Sequence, residues 1–418
     1  MEAKKGGRRR FLSGALAGLM VGGTRSESGQ ALGAETPEVP SRDLLAYGER
    51  SRLETSIRRS RGFFYWLFNR RPDLLTPLQD SLGVITASSL HYEVSHGSQP
   101  PDIDPSRYRL TIQGLVDRPR SFTLDELKRQ PLVSRIRFLE CAGNTTPQLR
   151  QAQNAETVQL SHGLTSCSEW TGVPLSLLLQ KTGVQEEAGW LVAEGAEAGK
   201  HIRSIPLEKA RKDVIVAYGQ NGEPLRPENG YPLRLVVPGL AGFYSVKWLR
   251  RIKLSDQPHL VHQGRFRHSP SQDDSGGFRF EIGPKSVITF PSGGQRLPSR
   301  GSFMIGGLAW SGGGAIRTVE VSSDGGRSWK EAQLQDPVLP IAHTRFSFAW
   351  NWHGEEAILQ SRCTDELGQV QPTLAEFARS KGVTREQLLS GSIREVGHFN
   401  VIQPWKVTRD GSVHNVLT

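Results

Sequence analysis

Apolar and polar positions fall into two textures along the chain. Between about residues 85 and 256, short apolar strands alternate with amphipathic helical stretches. Thr123-Leu124-Asp125-Glu126-Leu127 reads as a helix start, because a Thr before the first apolar position can cap the exposed backbone N–H groups. Pro174 to Lys181 reads as a second short helix, stopped at Gly183. Leu233 to Val237 and Val246 to Leu254 are apolar enough to be buried strands. Residues 257–277 are polar and contain Gly and Ser, which marks a boundary. From 278 onward the pattern predicts strands and turns only. Ile316 to Ser322, the turn Asp324-Gly325-Gly326, and Ser328 to Leu334 form a hairpin pattern. Ala357, Leu359 and Ser361 alternate before another turn at Asp365 to Gly368. The expected fold class is therefore α+β and β-rich: a mixed domain over 85–256, a linker over 257–277, and an immunoglobulin-like β-sandwich over 278–418.

Charge changes this picture at the N-terminus. The 418 residues carry a formal net charge of +10, which invites a nucleic-acid reading. Its placement argues against one. Lys4, Lys5, Arg8, Arg9, Arg10 and Arg25 against Glu2 and Glu27 leave +4 in residues 1–34. Eight arginines against Asp43, Glu49 and Glu54 leave +5 in residues 42–71, so the body of the chain is nearly balanced. Arg8-Arg9-Arg10-Phe11-Leu12 fits the twin-arginine export pattern. The weakly apolar run that follows, Phe11 to Gly23, is short of the roughly 20 apolar residues of a membrane span. Residues 1–34 are thus expected to be a twin-arginine signal. That route carries folded proteins, so the expectation is a periplasmic enzyme loaded with its cofactor before export. Residues 35–84 read as a basic arm with helical turns, including Phe63, Phe64, Tyr65, Trp66 and Phe68, wrapped on the body. Its arginines also offer a docking surface to an acidic partner.

Only Cys141, Cys167 and Cys363 are present, too few and too odd a number for a disulfide framework. No Cys-x-x-Cys-His occurs, so no c-type haem attaches to this chain, and no Cys cluster suits zinc or iron–sulfur ligation. Cys141 stands out because it follows an apolar strand and precedes Ala142-Gly143-Asn144, where Gly143 permits close backbone approach. A soft thiolate suits a polarizable metal, and with no further Cys or His nearby such a metal must bring most of its own ligands.

The blocks Leu139-Glu140-Cys141-Ala142-Gly143-Asn144, His162-Gly163-Leu164-Thr165-Ser166-Cys167, Gly230-Tyr231-Pro232-Leu233-Arg234 and Val246-Lys247-Trp248-Leu249 resemble the sulfite oxidase family of molybdenum enzymes. Ser322-Ser323-Asp324-Gly325-Gly326-Arg327-Ser328-Trp329 resembles that family's dimerisation domain. The resemblance runs from about Leu78 to the C-terminus and extends to the sulfane dehydrogenase branch of bacterial thiosulfate oxidation. It implies a molybdenum–molybdopterin cofactor, with Cys141 as the protein's thiolate on molybdenum. It assigns cofactor contacts to Tyr92, Glu93, Asn229, Arg234, Ser245, Val246 and Lys247, and places Glu194 as a further acidic contact. It implies oxidation of carrier-bound sulfane sulfur or of sulfite, with electrons passed singly to a c-type cytochrome subunit. A sulfur-carrier protein of the Sox system is the implied substrate, and a homodimer or heterotetramer the implied assembly; nucleic acid is not expected. A sulfoxide-reducing member of the same family and a non-catalytic subunit with a decayed pocket are the alternatives.

The substrate side departs from the family pattern. Val94 stands where an active-site arginine is usual, and Phe266 about where a tyrosine is expected. Thr145 and Thr146 replace a pair of arginines. Fewer cationic donors weaken capture of a free dianion such as sulfite, whereas a carrier-bound sulfane needs such a cage less. Alternatively His96, Arg137, Arg265 or Arg267 supplies the missing charge.

Overall fold

The computed structural model describes residues 48–417 apart from 49, 52, 62–71, 96–98, 147–155, 260–270, 273–277, 280, 392 and 394–396. The expected export signal, the aromatic cluster of the arm, His96, Arg265, Phe266 and Arg267 lie outside the described residues. Met1–Glu54 forms one unit and Thr55–Thr418 another; the second carries everything that follows.

Two sheets build the first half of the large unit. One runs Glu223–Pro224, Ile215–Gln220, Thr165–Pro174, Val133–Glu140, with Arg234–Val236 also pairing with Ile215–Gln220. The other runs Arg120–Thr123, Arg109–Gly114, Leu249–Ser255, Trp190–Gly195, Ile202–Pro206; only Leu249–Ser255 with Arg109–Gly114 is parallel. At Gly172 the register shifts, and a Cβ there would stand 2.2 Å from Val216 O, so the two backbones meet at a distance only glycine allows.

The expected helix starts are present. Thr123 Oγ1 accepts from Glu126 N at 3.0 Å while Glu126 Oε2 accepts from Thr123 N at 2.7 Å, a reciprocal cap on Leu124–Lys128. Helix Leu175–Thr182 buries Leu175, Leu178 and Leu179 and stops at Gly183, whose φ is +68°. One expectation needs correcting: the strand predicted from Val246 begins only at Leu249. Val246-Lys247-Trp248 leaves the ladder because Leu235 N donates to Val246 O at 2.8 Å and Trp248 takes a φ of +51°. That departure gives Lys247 its position at the site.

The second half is a sandwich of two sheets. Lys285–Phe290, Gly301–Trp310, Thr344–Trp352 and Gln333–Leu334 form one. Lys330–Glu331, Ile316–Ser322, Ala357–Asp365, Trp405–Val407 and Val413–Asn415 form the other. The expected hairpin splits between them. Lys330–Glu331 pairs with Glu320–Val321, but Gln333–Leu334 crosses to pair with Phe346–Ser347, with Ala332 buried at the crossing. Strands and turns are not the whole text here: helices Leu374–Ser380 and Arg385–Leu389 follow, each opened by a capping box, at Thr373/Glu376 and Thr384/Gln387. Those T-x-x-E and T-x-x-Q spacings were readable signals. In the arm, Arg59–Arg61 is strand rather than helical turn, and Leu75 and Leu78 are already core.

One apolar core runs through both halves. Phe138, Leu178 and Leu249 share it with Val287, Trp310 and Trp405. Burial on both sides of the boundary welds the sandwich to the mixed domain and fixes the strand end at Glu140. Thr123→Ala is expected to lower unfolding free energy by about 1 kcal/mol, read by chemical denaturation, because Leu124 and Leu127 lie in the core and their helix loses its cap.

Candidate active site

Strand Val133–Glu140 ends in a tight turn at Cys141. Cys141 N donates to Leu164 O at 2.9 Å and Asn144 N donates to Cys141 O at 2.8 Å. Asn144 straps the turn, its Nδ2 donating to Glu140 Oε1 at 2.8 Å and its Oδ1 accepting from Leu164 N at 3.2 Å. Thr145 has a φ of +66°, left-handed backbone that costs a non-glycine residue about 1–3 kcal/mol. Two contacts from the sandwich hold it there: Thr145 Oγ1 donates to Phe399 O at 2.6 Å and accepts from Lys285 Nζ at 2.8 Å.

Glu140 is the anchor of this turn. Its carboxylate has no solvent exposure and accepts four hydrogen bonds. Lys285 Nζ at 2.7 Å and Asn144 Nδ2 at 2.8 Å reach Oε1; Trp310 Nε1 at 2.8 Å and His398 Nε2 at 2.9 Å reach Oε2. Burial would push the carboxyl up, but the charge of fully buried Lys285 and the bonds from His398 hold it well below the usual carboxylate range. Three of the four donors come from the sandwich. The residue beside Cys141 is therefore set from the other half of the chain.

The three thiols now separate. Cys167 and Cys363 are buried, and burial pushes the Cys167 thiol up to about 12, so both are inert packing. Cys141 alone is half-exposed, packed on a cluster that contains Tyr92, Leu139, Leu164 and Trp170, with Val94 on the same cluster. Among the described residues no three His, Cys, Asp or Glu side chains form a metal-binding group.

Beside Cys141 the structure gathers most of the residues singled out in the sequence. Tyr92 N donates to Ser166 Oγ at 2.9 Å, and burial with the nearby Cys141 charge keeps its phenol protonated, hence a donor. Arg234 donates from Nη1 to Asn229 O at 2.9 Å and from Nη2 to Ser245 O at 3.2 Å, with its guanidinium 4.8 Å from the Trp170 ring centre. Asn229 is fixed in turn, donating to Ser88 O at 3.2 Å and Gln220 Oε1 at 2.9 Å. Ser245 Oγ accepts from Val237 N at 3.0 Å, Val246 is core, and Lys247 Nζ donates to Glu228 O at 2.9 Å. Glu93 is buried with Arg58 Nη1 at 3.9 Å. Glu194 is engaged elsewhere, by Arg250 and Arg251 across the second sheet.

Sequence reasoning passed over His91, which completes this wall. Its Nδ1 lies 2.8 Å from Tyr92 O and must donate to it. Burial first, then the charges of Arg234, Lys247 and Arg58, pulls the imidazole down to about 3. The ring is neutral, and Nε2 is left as a buried acceptor without a partner. Also missed were Arg58, Lys285 and His398, which stand too far along the chain for any local pattern to point to Glu140 or Glu93.

Arg234 decides whether this wall fits an anionic ligand. It is buried, its Nε has no acceptor, and among the described residues it has no acidic partner; burial pulls it down to about 10. A buried cation without a counter-ion costs several kcal/mol, so the site is built for an anion to arrive. Guanidinium geometry suits phosphate, and neutral His91 with the Tyr92 phenol offers one acceptor and one donor to a heterocycle edge. The residues present fit a molybdopterin.

Comparison with known proteins agrees. Residues 96–263 match the oxidoreductase molybdopterin binding domain, and residues 279–384 match the Mo-co oxidoreductase dimerisation domain. The crystal structure of the sulfane dehydrogenase SoxCD from Paracoccus pantotrophus superposes with a TM-score of 0.79 at 37% identity, covering 94% of this chain and 96% of that chain. The chain belongs to the sulfite oxidase family of molybdenum enzymes. Mitochondrial sulfite oxidase of Rattus norvegicus is 32% identical over 342 residues, which is 75% of this chain and 61% of that protein. Nitrate reductase [NAD(P)H] of Hordeum vulgare is 34% identical over 348 residues, 73% of this chain but 38% of the relative. The chain thus spans about three-fifths or less of the curated relatives it matches.

Within this family architecture, the Glu140 cluster carries a stability prediction. Lys285→Met leaves a buried carboxylate without its cation and is expected to cost about 3–5 kcal/mol in chemical denaturation. The double variant Glu140→Gln/Lys285→Met is expected to recover most of that loss; a double variant no better than the single would mean that Lys285 acts through packing instead.

Proposed function

We propose that this chain is a periplasmic molybdenum-cofactor oxidoreductase that oxidises sulfane sulfur on a carrier protein, or sulfite. The observation that carries the reading is Arg234, a buried guanidinium with no acidic partner among the described residues, which lies near Tyr92 as does the half-exposed Cys141. The 37% match over nearly the whole chain to a sulfane dehydrogenase supports the substrate class.

When bound, the molybdenum cofactor supplies two-electron oxo-transfer chemistry. Cys141 serves as a thiolate ligand and not as a nucleophile. Arg234 would neutralise the cofactor's phosphate, the Tyr92 phenol would serve as a donor to the cofactor, and neutral His91 would accept at Nε2. Asn229 and Ser245 aim Arg234 through their carbonyls, and Lys247 adds positive charge from the segment that left the strand. Glu140 acts at one remove: it holds the Asn144 strap, and the strap holds Cys141.

Among the described residues, two positions on the substrate side where the family usually carries cations are neutral. Val94 packs on the Cys141 cluster, Thr145 is tied to Phe399 O and Lys285, and the charge of Lys285 is matched by Glu140. Arg137, one candidate for a replacement cation, points its Nη1 to Ile136 O and Pro340 O. A wall of this kind binds a carrier-bound sulfane group more readily than a free dianion. Electrons are expected to leave singly to a c-type cytochrome subunit. A Sox sulfur-carrier protein is the expected substrate, and the dimerisation domain supports a homodimer or heterotetramer. The twin-arginine pattern at Arg8-Arg9 supports export in the folded, loaded state.

A sulfoxide-reducing activity is the second reading, favoured by Asn229 and the Tyr92-Glu93 pair, which resemble that branch. The exported protein is expected to hold molybdenum near one per chain and to reduce cytochrome c with sulfite or a persulfidated carrier. Cys141→Ser is expected to lose turnover by at least about 100-fold at an unchanged melting temperature, since even outer-shell partners of a metal are worth roughly 10–100-fold. Full turnover in Cys141→Ser would contradict the proposal. Molybdenum content with activity only toward methionine sulfoxide would favour the second reading, and protein devoid of molybdenum would favour a non-catalytic subunit.

A further inference from the structure

Residues 55–61 of the arm belong to the large unit and lie beside the His91–Glu93 segment. Arg59–Arg61 pairs antiparallel with Asp73–Leu75, and Leu74 exchanges both backbone hydrogen bonds with Glu93 at 2.9 Å. The arm is thus the outer member of a ladder whose inner member carries Glu93. Gln159 fastens it again, donating from Nε2 to Ile57 O and to Leu75 O, each at 3.0 Å. Arg59 is exposed, as a basic surface arm would have it. Arg58 is not.

The Arg58 side chain is 19% exposed and turned toward the site. Nη1 donates to His91 O at 3.3 Å and lies 3.9 Å from Glu93 Oε2; Nη2 lies 3.6 Å from Glu228 Oε1. Glu93 and Glu228 belong to two different walls. Glu93 follows Tyr92 and the His91 ring, while Glu228 precedes Asn229, whose carbonyl aims Arg234, and offers its own carbonyl to Lys247. A forked guanidinium can bridge two carboxylates at once; a lysine ammonium lacks that fork.

We propose that residues 55–61 are a strap beside the cofactor site, with Arg58 the positioning residue that ties its two walls together and so retains a bound cofactor. The proposal rests on the reading that this pocket holds the molybdenum cofactor. Arg58 does not touch the reacting atoms; it acts through Glu93 and Glu228. Its loss lets the His91–Glu93 segment and the Glu228–Asn229 segment part, which opens a path for release.

The test uses the full chain, loaded in cells, as wild type, Arg58→Ala, Arg58→Lys and Arg59→Ala. Molybdenum and pterin per chain are measured after purification, and pterin release is then followed by fluorescence. Arg58→Ala is expected to release pterin about tenfold faster, equivalent to about 1.4 kcal/mol at the release barrier. Arg58→Lys is expected to fall between Ala and wild type, and Arg59→Ala to match wild type. Should Arg58→Ala fold poorly, Arg58→Lys at a native melting temperature carries the comparison. Wild-type release rates in both Arg58 variants would overturn the strap. Wild-type protein with neither molybdenum nor pterin would instead overturn the cofactor reading, and the strap with it.

Discussion

A carboxylate sealed from water, with a lysine ammonium 2.7 Å away and three further donors around it, determines where Cys141 stands. Glu140 is the last residue of its strand, so whatever fixes its side chain fixes the turn that follows. Lys285, Trp310 and His398 come from the sandwich, and Lys285 also holds Thr145 in its left-handed backbone. The two halves of the chain therefore cannot be shifted relative to each other without stripping a buried charge of its partner. Such an arrangement is weak as a source of net stability but strict about geometry, since breaking one partner costs far more than the pair contributes. Strictness is what a metal-ligating thiolate requires.

The neighbouring pocket uses the opposite rule. Lys285 is neutralised inside the fold, whereas Arg234 is buried and aimed by two carbonyls, with no acidic partner among the described residues. One cation is satisfied by a carboxylate; the other is held by backbone carbonyls. Arg58 stands between these cases, compensated by Glu93 and Glu228 at 3.6–3.9 Å, and adds to the positive surroundings that keep His91 neutral. The basic excess thus lies in separate places: the Arg8-Arg9 pattern at the N-terminus, an arm whose Arg58 turns inward, and the buried Arg234 guanidinium, which has no acidic partner among the described residues.

Local chemistry was legible in the sequence. The Thr123 cap, the Gly183 stop and the alternation over Ala357, Leu359 and Ser361 each depend on residues a few positions apart, and each appears as expected. Cys141 and Arg234 were singled out through the blocks around them, and the structure places both near Tyr92. What could not be read were partnerships across the chain: Glu140 to Lys285 spans 145 positions, and no periodicity encodes it. The crossing of Gln333–Leu334 to the facing sheet was hidden for the same reason, because burial of Ala332, not the turn, decides it. The two helices after Thr373 were a different kind of miss, since their capping boxes were present in the text.

The most direct measurement is molybdenum K-edge X-ray absorption on the loaded protein, comparing wild type with Cys141→Ser. If the Glu140-anchored turn presents the metal-ligating thiolate, the variant will have one sulfur fewer around molybdenum than wild type. An identical sulfur count in the two proteins would mean that Cys141 is not the ligand, and the Glu140 cluster would then be structural alone.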